Sequence, residues 1–247
     1  SLLLQMGVNV ANDYFDYVKG VDTAERKGPV RVTQSGLIAP ECVRRGMIAI
    51  FGLSALVGLY LVIVGGWPIL AVGAAAVLSA LAYSGGPFPI ASHGLGDLFV
   101  FIFFGLAAVC GTYYVQARAL PWLAIAAAAP PGLLITAILV VNNLRDIDTD
   151  AKTGKRTLAV TLGERGARAE FVILVGAAYL APVILWAAGA VSAWALLPWL
   201  SLPLAIGLTR GLYRTSLADG KGMNRLLAGS ARLALVFSVL FAVGLAV

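Results

Sequence analysis

Long apolar segments repeat along the whole chain, and they constrain the fold more than any other feature. Of the 247 residues, 60% are hydrophobic and only 12% are charged, and the mean hydropathy is +0.90. A soluble domain usually carries about 25% charged residues. Apolar segments of about 17–25 residues match the thickness of a bilayer core when they are helical. The sequence therefore predicts an integral membrane protein rather than a soluble domain.

Eight such segments predict eight transmembrane helices and an all-α fold. Membrane β-strands would be about 10 residues long with alternating polarity, and these segments are longer and do not alternate. We interpret the chain as one membrane domain covering residues 1–247. It begins at Ser1 inside an apolar segment, so we expect it to be truncated at its N-terminus. The predicted helices are residues 1–18, 43–65, 67–84, 97–116, 122–144, 168–190, 193–213 and 228–247.

The charged residues fall almost entirely on one side of the predicted membrane domain. If the predicted helices alternate in direction, every Lys and Arg except Arg118 falls on the side where the first helix ends. The positive-inside rule makes that side cytoplasmic. The net charge of +6 is then explained by topology and by contact with anionic lipid, and it implies no nucleic-acid partner. All 12 acidic residues also lie on this side or at helix ends that face it, so we expect carboxylates to have a function there.

The first acidic cluster is NDYFDYVKGVDT, residues 12–23, where the first predicted helix ends. Residues three, four and seven positions apart share one face of a helix. Gly20 is expected to end this helix and to place Asp22 just beyond it. The polar residues that this spacing brings to one face are Asn9, Asn12, Asp13 and Asp16.

The second acidic cluster is NNLRDIDTD, residues 142–150. Asp148 points away from the other acids of this segment, because it lies about 200° around a helix from Asp146. Residues 12–16 and 142–146 share the pattern N-[DN]-x-x-D, which indicates a weak internal repeat. The residues of the second cluster with i, i+4, i+8 spacing are Asn142, Asp146 and Asp150.

Both clusters combine acids with nearby bases. Convergent carboxylates repel one another unless a cation lies between them, and Mg²⁺ takes oxygen ligands, usually with phosphate oxygens and water completing its shell. Arginine and lysine bind the phosphates themselves. The pattern therefore predicts a site for a Mg²⁺-diphosphate. The basic residues beside the clusters are Lys19, Arg26, Lys27, Arg31, Arg145, Lys155 and Arg156.

These paired motifs resemble those of the intramembrane aromatic prenyltransferases of the UbiA superfamily. Three further stretches are similar to the branch that prenylates 1,4-dihydroxy-2-naphthoate in menaquinone synthesis: GPVRVTQSGLI (28–38), YSGGPFPIASHGLGDLFVFIFFG (83–105) and NNLRDIDTDAKTGKRTLAVTLG (142–163). The resemblance implies nine helices around a central cavity that opens to the cytoplasmic side. One N-terminal helix would then be missing from the eight predicted here.

The resemblance also implies an activity and its residues. The activity is Mg²⁺-dependent transfer of a polyprenyl group from polyprenyl diphosphate to 1,4-dihydroxy-2-naphthoate, with loss of CO₂, at the plasma membrane of a prokaryote. The implied metal ligands are Asn12, Asp13, Asp16, Asp22, Asp146 and Asp150, with Asp16, Asp146 and Asp150 as the catalytic group. The implied diphosphate contacts are Asn9, Lys19, Lys27, Arg31, Asn142, Arg145, Lys155 and Arg156. The candidates for contact with the aromatic acceptor are Tyr83, Asp97 and Asp148.

Two departures from the superfamily pattern leave alternatives open. Gly20 stands where the wider superfamily has an aspartate, and Asp22 is expected to replace it. Tyr83 is followed by Ser-Gly-Gly-Pro and not by the Y-x-x-x-K loop of the ubiquinone branch, which disfavours 4-hydroxybenzoate as acceptor. Another aromatic acceptor, 4-hydroxybenzoate or haem, remains an alternative. A cation transporter is a weaker one, because it would need acids along a path to the other side.

Overall fold

The structure is a computed structural model that describes residues 2–20, 28 and 30–247. The described part is helical, and its one β-type pairing is an isolated bridge between His93 and Arg156. Short 3₁₀ segments cover Ile90–Ser92 and Ala193–Ser201, and a π-helical segment covers Phe101–Ala107. The α-helices are α1 (Leu2–Val18), α2 (Pro40–Gly65), α3 (Trp67–Ser84), α4 (Gly96–Val100), α5 (Ala108–Ala117), α6 (Trp122–Arg145), α7 (Ile147–Lys152), α8 (Leu158–Ala187), α9 (Leu202–Arg214) and α10 (Gly220–Ala246).

Seven helical stretches of the described residues are long and apolar enough to cross a membrane. They are α2, α3, α6, α8, α10 and two composite stretches, Gly96–Ala117 and Ala193–Arg214. The prediction of an all-helical membrane protein is therefore confirmed. Helix α1 has 17 residues and is not among the seven, so the count of eight spans stays a prediction.

Two helices begin earlier than the hydrophobic pattern predicted. Helix α8 starts at Leu158 and not near residue 168, with a kink at Gly163, where φ is 70°. Helix α10 starts at Gly220 and not near residue 228, because the Asp219 side chain caps it by accepting a 2.8 Å hydrogen bond from the Gly222 N–H. Apolarity marks where a helix meets lipid, whereas capping marks where the helix begins. The extra turns of α10 bring Asn224 to the cavity described below.

The helices pack into two groups, each with its own core. One group joins α6, α8, α9 and α10 around Phe171, Leu212 and Phe237. The other joins α1, α2 and α3 around Ala11 and Phe51. Because lipid is as apolar as these side chains, close packing rather than exclusion from water holds such helices together. A large cavity lies between the two groups.

The stretch Gly96–Ala117 is attached to α6 through two facing glycines. A Cβ atom built on Gly105 would lie 2.6 Å from Cα of Gly132, and one built on Gly132 would lie 2.9 Å from Cα of Gly105. Gly105 belongs to the π-helical segment, and Gly132 follows Pro130 and Pro131 in α6. Only residues without a side chain allow the two backbones to approach so closely.

We predict that Gly105→Ala destabilises the protein by about 1–3 kcal/mol, because the added methyl group meets backbone and not a movable side chain. Gly111→Ala is the matched control, since a Cβ at Gly111 meets nothing within 4 Å in the same membrane-spanning stretch. Thermal unfolding of the two purified variants in detergent measures the difference. Equal unfolding temperatures would show that the glycine contact is not needed.

Candidate active site

The cavity between the two helix groups has a volume of about 1480 Å³. Its polar lining comes from the C-terminal ends of α1, α3 and α6, from the starts of α4 and α10, from α7, and from the segments that carry Arg31 and Lys155. Its apolar lining comes from positions deeper in the helices, including Phe99, Phe103, Ile135 and Leu227. One space therefore offers charged groups at one end and hydrocarbon at the other.

Most of the residues predicted from the sequence line this cavity. Lys19, Asp148 and Arg156 do not, although all three are described. Asp22 and Lys27 lie outside the described residues. The predicted residues in the lining are Asn9, Asn12, Asp13, Asp16, Arg31, Tyr83, Asp97, Asn142, Arg145, Asp146, Asp150 and Lys155.

The first motif is positioned by α1 and by the segment that begins at residue 30. The two oxygens of Asp13 accept hydrogen bonds from the backbone N–H groups of Val32 and Thr33, at 3.1 and 3.2 Å. That contact brings the Arg31 guanidinium to 3.6 Å from the Asp16 carboxylate. Asp13 and Asp16 are both buried, which agrees with their predicted position on one face of the helix. Asp13 thus holds the segment that carries a basic group into the cavity.

The end of α3 is tied to α1. The Ser84 hydroxyl donates a 2.8 Å hydrogen bond to the side-chain oxygen of Asn12. The Lys19 ammonium donates to the backbone oxygens of Ser84 and Gly86, at 2.6 and 3.1 Å. Partial burial lowers the pKa of Lys19 from its usual value, and the Asp16 carboxylate opposes that shift. Lys19 therefore joins α1 to α3 in this structure.

Arg145 organises the second motif from a fully buried position, with 1% of its surface exposed. Its Nε and Nη2 donate to the two oxygens of Asp146, at 2.8 and 2.6 Å. Nη2 also donates to the side-chain oxygen of Asn142 at 2.9 Å, and Nη1 donates to that of Asn224 at 2.8 Å. The guanidinium therefore neutralises Asp146 and fixes its orientation. A planar guanidinium can do this because its N–H groups bind both carboxylate oxygens in parallel.

The second motif continues across a short break in the helix. Asp146 lies between α6 and α7, with φ −97° and ψ 6°. The backbone N–H of Asp146 still donates to the backbone oxygen of Asn142, at 3.2 Å. The backbone N–H of Asp150 donates to the backbone oxygen of Asp146, at 2.8 Å. Asn142, Asp146 and Asp150 therefore keep the predicted four-residue spacing across the break. The Lys155 ammonium lies 3.8 Å from Asp150 and lines the cavity.

Asn224 is a site residue that the hydrophobic pattern missed, because it precedes the predicted start of the last helix. It lies in the capped first turns of α10 and reaches Arg145 of α6. A helix-period signal was present in the sequence. The residues of α10 that line the cavity recur at helical spacing and are Asn224, Leu227, Ala228 and Ala231.

Two predicted site residues, one within the second motif and one after it, lie outside the cavity. Asp148 and Arg156 are exposed and outside the cavity lining. The backbone N–H of Arg156 donates to the Ser92 oxygen at 3.2 Å, which joins the loop before α4 to the loop after α7. Arg156 therefore aligns two loops through its backbone.

The donors present suit a hard cation that is shared with a ligand. Carboxylate and amide oxygens are the ligand types that Mg²⁺ takes. Among the described residues, no group of three or more His, Cys, Asp or Glu side chains converges closely enough to hold a metal ion. The described protein would therefore supply one or two carboxylates to an ion, and a phosphate ligand and water would supply the rest, as Mg²⁺ accepts.

Comparison with known proteins identifies the family. The sequence matches the UbiA prenyltransferase family over residues 1–245. This chain belongs to the UbiA prenyltransferase family. The predicted enzyme class, a prenyltransferase, is therefore confirmed, and so is its nature as an integral membrane protein.

Two relatives and one solved structure show which UbiA proteins this chain is similar to. The chain is 40% identical over 206 residues to the 1,4-dihydroxy-2-naphthoate octaprenyltransferase of Mycobacterium tuberculosis, covering 83% of this chain and 69% of that protein. It is 37% identical over 251 residues to the enzyme of the same name from Haemophilus influenzae, covering 99% and 81%. A solved structure of a digeranylgeranylglyceryl phosphate synthase has the same fold, with a TM-score of 0.60, 16% identity, and coverage of 98% of this chain and 81% of that one.

We predict that Arg145→Lys lowers stability by about 1–3 kcal/mol for each buried acceptor left without a donor. A lysine cannot hold both oxygens of Asp146 in parallel and also reach Asn142 and Asn224. Arg44→Lys is the control, because Arg44 makes an exposed 2.8 Å pair with Glu41 and such pairs contribute about 0–1 kcal/mol. Thermal unfolding in detergent compares the two variants, and equal shifts would contradict the role assigned to Arg145.

Proposed function

We propose that this UbiA enzyme transfers a polyprenyl group from polyprenyl diphosphate to 1,4-dihydroxy-2-naphthoate, with loss of CO₂, to give the reduced (quinol) form of demethylmenaquinone. The observation that carries the proposal is the single cavity, charged at one end and apolar at the other, into which both acidic motifs project. Relatives that are 37–40% identical bear the name of this activity. The bilayer supplies the polyprenyl substrate, since such a chain is as apolar as lipid.

The charged end of the cavity suits the diphosphate. Arg31 and Lys155 each pair with a carboxylate of the lining, and both can turn to phosphate oxygens. Asp16, Asp146 and Asp150, with Asn12, Asp13 and Asp22, are the residues proposed to hold Mg²⁺ ions together with the diphosphate, with at most two of the described carboxylates on any one ion. When bound, Mg²⁺ would neutralise the negative charge that builds on the leaving group.

The chemistry proceeds by breaking the bond between the allylic carbon and the diphosphate oxygen. The electron pair stays on the diphosphate, where contacts from Arg31 and Lys155 strengthen as charge develops, so they stabilise the transition state more than the ground state. The electron-rich ring attacks the allylic carbon through the carbon that carries the carboxylate. Loss of CO₂ returns its bonding pair to the ring.

The apolar end of the cavity suits the prenyl chain. The phenylalanine rings of the Gly96–Ala117 stretch and aliphatic residues of α6 face this space. They exclude water from the allylic cation, which water would otherwise capture as an alcohol.

The orientation in the membrane follows from charge. We propose that the polar end of the cavity faces the cytoplasm of a prokaryote, because the loops on that side carry nearly all the Lys and Arg. The eight helices are proposed as spans of a nine-helix bundle.

We expect purified protein to prenylate 1,4-dihydroxy-2-naphthoate in the presence of Mg²⁺, and to use 4-hydroxybenzoate and haem much less well. Excess EDTA should abolish transfer, because the leaving diphosphate would lose its counter-charge, and added Mg²⁺ should restore it. A second readout needs no turnover: pyrophosphate should raise the unfolding temperature only when Mg²⁺ is present. Full activity in EDTA would contradict the proposed requirement for Mg²⁺. Preference for another acceptor would contradict 1,4-dihydroxy-2-naphthoate as the substrate.

We predict that Lys155→Ala lowers kcat/KM for polyprenyl diphosphate roughly 10- to 150-fold, from charge-assisted bonds of about 1.5–3 kcal/mol, while KM for the aromatic acid stays nearly unchanged. Lys152→Ala is the matched control, because Lys152 belongs to the same segment but is exposed and outside the cavity lining. Steady-state kinetics with each substrate varied in turn measures both. Equal effects of the two changes would mean that Lys155 serves only the overall positive charge.

A further inference from the structure

Asp97 is the cavity carboxylate for which the described structure shows no hydrogen-bond or ionic partner. The residue is 6% exposed and lines the cavity, and neither of its side-chain oxygens accepts a hydrogen bond from another described residue. A buried carboxylate in that condition is costly unless a donor reaches it. The cavity carboxylates that do have partners are Asp13, Asp16, Asp146 and Asp150.

The surroundings of Asp97 are aromatic. A Cβ atom on the neighbouring Gly96 would lie 3.1 Å from the Tyr83 hydroxyl, so that hydroxyl lies against the backbone beside Asp97. Tyr83 and Asp97 are close enough to interact electrostatically. The next turns of the same membrane-spanning stretch bring Phe99 and Phe103 into the cavity lining. A carboxylate and a phenol therefore line the same cavity as these aromatic rings.

Asp97 lies beside the charged end of the cavity, because Tyr83 also interacts electrostatically with Asp150 and Asp16. Asp97 itself interacts with Tyr83 and with the half-buried Glu170 of α8, and neither is a cation. A diphosphate would be repelled by an ionised Asp97, and a prenyl chain has no donor to offer it. A flat ring that carries a hydroxyl fits both the aromatic wall and the missing donor.

We infer that Asp97, with Tyr83 beside it, binds a ring hydroxyl of the aromatic acceptor and takes its proton during transfer. This inference rests on the proposed function and assigns the acceptor end of the same cavity. Asp97 is then a catalytic residue, because it touches the substrate.

The proton balances over one turnover. As the new carbon–carbon bond forms and the diphosphate leaves with its electron pair, the hydroxyl proton moves to the Asp97 carboxylate and the ring becomes a dienone. When CO₂ leaves, its bonding pair restores the aromatic ring, and the ring oxygen regains the proton from Asp97. The carboxylate ends the cycle as it began, and no oxidant or further reactant is consumed.

The test uses Asp97→Asn and Asp97→Leu in the full chain, with Asp219→Asn as control. Asp219 is an exposed residue outside the cavity lining, and asparagine preserves its helix cap. We expect Asp97→Asn to lower kcat about 10²- to 10⁴-fold, which is the usual contribution of a general base. Stabilisation by Mg²⁺ with pyrophosphate should be unchanged. Asp97→Leu should be inactive yet unfold at a temperature no lower than the wild type, because it removes an unpartnered buried carboxylate.

Two results would overturn the inference. One is a kcat for Asp97→Asn within about threefold of the wild type, which is too small a change for a lost general base. The other is a lower unfolding temperature for both variants, because Asp97 would then be structural. If the wild type prenylates no acceptor, the proposed function fails, but direct binding of 1,4-dihydroxy-2-naphthoate still tests Asp97. Binding to the wild type and not to Asp97→Asn supports the inference, and equal binding refutes it.

Discussion

A carboxylate within an apolar helical bundle must have a partner, and this requirement shapes the whole site. Burying an ionised group without one is costly, so each acid brought into the cavity requires a second group to pair with it. Asp13 takes two backbone N–H groups, Asp16 takes Arg31, and Asp146 takes the buried Arg145. The pairs of Asp13 and Asp16 hold the segment from residue 30 against α1.

The same pairs prepare the cavity for an anion. Arg31 and Lys155 lie within 4 Å of carboxylates, so the ligand-free site is internally balanced rather than strongly charged. A Mg²⁺-diphosphate brings both signs of charge at once, so it can replace the internal pairs without leaving a charge uncompensated. Arg145 has a different role, since its donors are already used by Asp146, Asn142 and Asn224.

Asp97 is the exception to this rule of partners. Charged pairs mark the part of the cavity proposed for the diphosphate, and the unpartnered carboxylate beside Tyr83 marks the neighbouring part proposed for the acceptor. The close contact of Gly105 with Gly132 holds the stretch that carries Asp97 against α6. Backbone packing in the membrane interior thus helps to position Asp97 in the cavity wall.

The sequence by itself determined the membrane class, the helical fold and the two acidic motifs. Each of these depends on local properties, namely hydrophobic length and helical spacing, which residues close in the chain specify. Asn9, Asn12, Asp13 and Asp16 share one face because a helix has 3.6 residues per turn. The family followed from the same motifs.

Only the tertiary structure decided which groups meet across the chain. It brought Asn224 of α10 to Arg145, used Lys19 to join α1 with α3, and left Arg156 and Asp148 outside the cavity. Asn224 escaped prediction because helix capping, and not apolarity, sets the start of α10. Burial and partnership are properties of contacts distant in sequence, so local spacing identifies candidate residues but cannot decide which of them share a site.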